Sequence, residues 1–132
     1  MGDEELLEYA FDHTQSGVAL VDGDGNIRRV NLAGAALIGR LPADVTGAAF
    51  LDLIHPDDVE LAITEMGSTL ETGHGGPVQL RVLRPDGTWA WIRARGTRLP
   101  SAGTAVTYVV FDDISTERAV AQRLAQAHAQ QA

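Results

Sequence analysis

The chain has 132 residues, 45% of them apolar and 21% charged, which suits one domain with a real hydrophobic core and argues against wholesale disorder. A formal net charge of −8 disfavours a nucleic-acid partner, whose phosphates need clustered Lys and Arg; Arg93, Arg95 and Arg98 make an ordinary solvated strand face. With no cysteine, disulfides, thiolate metal sites, cysteine nucleophiles and any thiol-linked flavin or chromophore are excluded.

No apolar run approaches the roughly 18 residues that a membrane span needs, and the acidic amino end is unlike a signal peptide. A cytoplasmic segment without membrane contact is therefore expected.

Residues 3–12, DEELLEYAFD, read as a helix with acidic residues in its first turn, where the helix dipole favours them. Leu6, Leu7, Ala10 and Phe11 form an apolar stripe that must be covered by the domain body or by a second copy of the chain. GVALV (17–21) and NIRRV (26–30) predict two strands joined by DGDG, a tight hairpin. Asp22, Asp24 and Asn26 alternate like the opening of a calcium loop. Counting from Asp22, however, the sixth position is Ile27 and the twelfth Ala33, where such a loop needs Gly and a bidentate acid. A turn is the better reading.

Asn31 is placed to cap a helix carrying Leu32, Ala35, Ala36 and Gly39. Pro42, Gly47 and Pro56 then punctuate a region of short helical turns. A longer helix is predicted over 57–72, with Val59, Ala62, Ile63, Met66 and Leu70 on one face. Gly73, Gly75 and Gly76 end it, and GHGG (73–76) reads as a flexible link.

Three strands follow: 77–84, 88–99 and 104–112, with turns at PDG (85–87) and SAG (101–103). Along the second of these, Trp89 and Trp91 share one face with Arg93 and Arg95, and Ala90, Ile92 and Ala94 take the other. Small and branched residues suit the side towards the helices, so the indoles are expected on the outer face, covering the amino-terminal helix or a partner; the alternative places them inward as pocket walls. From Ser115 onward the chain predicts an exposed helix, in which Val120, Leu124 and Ala127 make either a short coiled-coil seam or a solvated tail. Strands segregated from helices favour α+β with an antiparallel sheet.

The ordered set GVALVDGDGNIRRVN, LDLIHPDD, RVLRPDGTWAWIRARG and FDDIS resembles a PAS domain, a sensor and dimerisation module of bacterial signalling proteins. The likeness runs from about Phe11 to the carboxyl-terminal tail. Asp113 and Ile114 match the family's Asp-Ile-Thr signature, with Ser115 in place of Thr. The resemblance implies a five-stranded antiparallel sheet in order 2-1-5-4-3 with helices on one face, enclosing space for a ligand. It also implies an amino-terminal cap helix (1–12), a core (13–114) and a carboxyl-terminal signalling helix (115–132) leading to an output domain, in a homodimer. Asp113, Ile114 and Ser115 would relay the signal. Leu6, Leu7, Phe11, Trp89 and Trp91 are the expected dimer contacts.

Haem-binding members of the family use a His on the long helix; 57–72 has none, although His55 and His74 flank it, so haem is disfavoured and the cofactor, if any, is open. Non-covalent flavin has no residue in its favour. No Gly-x-Ser-x-Gly elbow, phosphate loop or His-Glu-x-x-His pair is present, so enzyme activity is not expected. Pocket walls are expected from Leu37, Phe50, Leu53, Ile63 and Met66 on the helical side. Leu80, Val82, Ile92 and Val109 would supply the sheet side. These residues either enclose a ligand or pack a solid core. Without a charged anchor, they favour a small apolar ligand such as a fatty acid over a dicarboxylate.

Overall fold

A computed structural model of the chain describes residues 2–100, 103 and 105–131. Its strands β1 (Gly17–Asp22), β2 (Ile27–Val30), β3 (His74–Leu83), β4 (Trp89–Leu99) and β5 (Val106–Asp113) form one antiparallel sheet in the order β2-β1-β5-β4-β3. Helices α1 (Asp3–His13), α2 (Leu32–Leu37), α3 (Pro42–Val45), α4 (Val59–Thr72) and α5 (Ser115–Gln131) complete the fold, with 3-10 turns at Phe50–Leu53 and Pro56–Asp58. The expected turn at Ser101 and Ala102 lies outside the described residues, as does Thr104 at the expected start of β5.

Local chemistry explains the connections. Asp22 Oδ1 accepts the backbone N–H groups of Asp24 (2.9 Å) and Asn26 (3.0 Å), and Gly25 supplies a φ of +85°. The carboxylate that might have begun a calcium loop is thus spent inside the β1–β2 turn. Asp86 plays the same part in the β3–β4 hairpin: its Oδ1 accepts from Thr88 N (2.9 Å) and Thr88 Oγ1 (2.6 Å), which lowers the pKa of its carboxyl.

Asn31 does more than cap α2. It is fully buried, and its Oδ1 accepts from both Gly34 N (2.9 Å) and Val18 N (2.8 Å). Its Nδ2 donates to the carbonyls of Phe11 (2.9 Å) and Ser16 (3.0 Å). One amide therefore joins α1, the start of β1 and the start of α2, with every hydrogen-bonding site used.

Two expectations need correction. Gly75 and Gly76 are not a link: β3 already begins at His74 and pairs Gly75 with Gly96 across β4. A Cβ on Gly75 would strike Thr69 Oγ1 and come 2.8 Å from the Glu65 carbonyl, so glycine is what lets α4 lie directly on the strand. Amino-terminal helix α1 does not cover the tryptophans. It docks at the other end of the sheet, where Glu8 forms a two-pronged ion pair with Arg29 (2.9 and 3.1 Å) and the Arg29 guanidinium lies 4.4 Å from the Phe11 ring.

Candidate functional site

The inner face of the sheet and the facing surface of α4 border a cavity of about 130 Å³ that is partly open to solvent. Phe50, Leu53, Met66, Leu80, Val82, Ile92 and Val109 border it. Leu37 packs half-buried against the core but does not border the space. Ile63 lies on the solvent side, 53% exposed. The helical phase explains this: Ala62, Met66 and Thr69, spaced four and three apart, face the sheet, and each further residue turns about 100° around the axis.

Sequence reasoning missed much of the wall. Ala19, Val21 and Phe111 border the cavity, as do Thr69 and Thr107. The signal was present: Thr107, Val109 and Phe111 share one face of β5 by simple alternation, so choosing Val109 implied its neighbours two residues away. The volume resembles that of the roughly 150 Å³ engineered cavities that take up benzene. Neither His55 nor His74 borders the cavity, and among the described residues no three His, Asp or Glu side chains cluster as a metal site.

On β4 the pleat sends Ala90, Ile92 and Ala94 into the core and leaves Trp89 and Trp91 half-buried on the other side. Trp89 meets His55, with ring centroids 4.5 Å apart. Trp91 is covered from within the chain, by α5: the Arg118 guanidinium lies 3.6 Å from its ring centroid, and Arg81 lies 4.9 Å away.

Arg81 also holds the start of α4. Its Nε and Nη2 donate to the two carboxylate oxygens of Asp58 at 2.9 and 2.8 Å, and its backbone N–H donates to Asp58 Oδ2 at 2.9 Å. These bonds keep the buried Asp58 carboxyl below its ordinary pKa against the opposing effect of burial. Nearby, His55 Nδ1 accepts the Asp57 N–H at 3.0 Å and the His55 N–H donates to the Arg81 carbonyl at 2.9 Å.

The root of α5 is tied to the same part of the sheet. Trp91 N–H donates to Ser115 Oγ (3.1 Å), and the Trp91 carbonyl accepts from Ile114 N (2.9 Å). Ile114 is 1% exposed. Asp113 Oδ1 accepts from Ser115 N (2.8 Å), and its Oδ2 lies 3.3 Å from Arg84 Nη2. Asp113, Ile114 and Ser115 therefore form one joint in which β5 becomes α5, clamped to β4 at Trp91 and to the β3–β4 hairpin at Arg84.

A five-stranded 2-1-5-4-3 sheet with an apolar space beneath its helices defines the small α+β modules of the PAS type. The family model described as PAS fold matches residues 19–111, and the chain belongs to that family. The chain is 31% identical over 70 residues to the White collar 2 protein of Neurospora crassa, a stretch covering 53% of this chain and 13% of that protein's length. Among solved structures, a PAS domain from Colwellia psychrerythraea superimposes with a TM-score of 0.78 at 20% identity, over 87% of this chain and 99% of that one. A PAS domain from a two-component sensor histidine kinase gives 0.72 at 11% identity, over 84% and 96%.

Proposed function

We propose that this PAS domain is a cytoplasmic sensory module of a larger signalling protein, taking a small apolar ligand in its cavity and passing its state through α5 to an output domain. One observation carries the reading. Ile92 borders the cavity, while its neighbour Trp91 holds Ile114 and Ser115 through its backbone and Arg118 through its ring. Adjacent residues on a strand point to opposite faces. A ligand that displaces Ile92 therefore acts directly on the residue that anchors the exit helix. The role asks no catalysis of the chain.

The test is mass spectrometry of the denatured extract of freshly purified protein, followed by thermal-shift titration with small neutral hydrocarbons. A stoichiometric released molecule or a saturable rise in Tm is expected. A clean extract together with a flat titration would overturn the sensory reading.

Dimerisation is a second role, supported by the exposure of Leu6 (50%), Leu7 (71%) and Tyr9 (58%) on α1. A lone α1 leaves these side chains in water, and a second copy of the chain would bury them. Light scattering should return a dimer mass that falls to a monomer when Leu6 and Leu7 become Ser.

A further inference from the structure

Among the described residues the cavity wall is mostly carbon; Glu65 and Thr69 on it each hold a backbone group, whereas the Thr107 hydroxyl holds none. Thr107 is 2% exposed, borders the cavity from β5, and its Oγ1 donates to the neighbouring wall atom Met66 Sδ at 3.8 Å. A thioether is a weak acceptor, and among the described residues no donor reaches the two lone pairs of the hydroxyl. The other hydroxyl on the wall, Thr69 Oγ1, already donates to the Glu65 carbonyl at 2.8 Å. We infer that Thr107 is the polar anchor of the cavity and that its occupant is a neutral apolar molecule of about benzene size carrying a single oxygen. This rests on the ligand-binding reading above and narrows it to a chemical class.

The surrounding groups disfavour an anion and a polyol. An anion would meet Glu65, whose Oε2 accepts the Gly76 N–H at 2.7 Å on the cavity wall. Arg95 also borders the cavity, but the β4 pleat turns its exposed side chain to the same outer side as Trp91 and Arg93. A polyol would leave further hydroxyl groups against Val, Leu and Ile side chains without partners. A single hydroxyl can donate to a free lone pair of Thr107, and a single carbonyl can take over the proton now aimed at Met66. The unbranched Met66 side chain can shift to admit either.

Phenol and benzene are the probes, titrated by two-dimensional NMR into the whole chain and into Thr107→Val, in which a methyl replaces the hydroxyl at nearly constant volume. Loss of one hydrogen bond should raise the phenol Kd about five- to tenfold, while the benzene Kd stays within about twofold. Thr107→Ser, which keeps the hydroxyl, should retain the preference for phenol and serves if the valine variant does not fold. Equal changes for both probes, or none for either, would overturn the role of Thr107 and leave the cavity a ligand site. Binding of neither probe to the unaltered chain would overturn the ligand-binding reading itself.

Discussion

The guanidinium of Arg118 lies over the indole of Trp91, 3.6 Å from the ring centroid, and so the first turns of α5 rest on the outer face of β4. Arg118 Nη1 also donates to Gln79 Oε1 at 2.6 Å, and the preceding residue, Glu117, pairs with Arg93 at 3.0 Å. Beyond this region α5 leaves the body: Val120 is 44% exposed and Leu124 58%. The stacked pair thus sits where a docked helix becomes a free one.

Arg118→Ala should release α5 without unfolding the core. A cation–π contact at a partly exposed site contributes about 0.5–1 kcal/mol, so Tm should fall by no more than about 4 °C. The sensitive readout is hydrogen exchange, which should accelerate in residues 115–122 and stay unchanged in β1 and β5. Unaltered exchange in α5 would mean that the backbone bonds from Trp91 hold the helix alone.

Asp113 should separate signalling from folding. Asp113→Ala removes the bond to Ser115 N and the pairing with Arg84, at a stability loss of about 1 kcal/mol. In a longer chain carrying the proposed output domain, the output is expected to lose its dependence on ligand while the domain remains folded by circular dichroism. Asp113→Asn keeps the cap but not the charge, so retained signalling in that variant would assign the relay to the cap. An output unaffected by the alanine change would remove Asp113 from the relay.

Asn31 should be among the most costly polar residues to replace. Asn31→Leu leaves the Val18 and Gly34 N–H groups and the Phe11 and Ser16 carbonyls without their partner. Loss of the cap together with a buried unpaired donor amounts to about 2–4 kcal/mol, or a Tm lower by roughly 10 °C. Asn31→Asp should recover the acceptor half of the network and a fraction of the loss. Thermal unfolding of the three proteins side by side checks the order.

Asp58 sets an acid limit on stability. Its folded pKa is depressed below the unfolded value, chiefly by the Arg81 hydrogen bonds. The fold therefore prefers the carboxylate: the stabilisation is complete above the unfolded pKa and is lost as pH falls through the folded one. In Asp58→Asn that slope should flatten. Tm measured from pH 6 down to about 2.5 should show the parent falling more steeply than the variant, and parallel curves would place the acid sensitivity elsewhere.

Much of the fold can be read along the chain because it is written in local chemistry. Asp-Gly turns need a positive φ and a short acceptor, strands alternate with period two, and α4 stops at Gly73. These are properties of neighbouring residues, so the sequence by itself determined the order of elements, the inward face of β4 and the turn built by Asp22. It did not determine which residues meet across space. Ile63 and Ala62 are adjacent and both apolar, and only the phase of α4 against the sheet sends one to solvent and the other to the cavity. Asn31 was legible as a cap, but its bonds to Val18, Phe11 and Ser16 depend on where α1 docks. Trp91 was legible as outward-facing, and tertiary structure alone chose α5 over α1 to cover it. The cavity follows the same rule, for its volume is the difference between two packed surfaces, and no single stretch of chain encodes a difference.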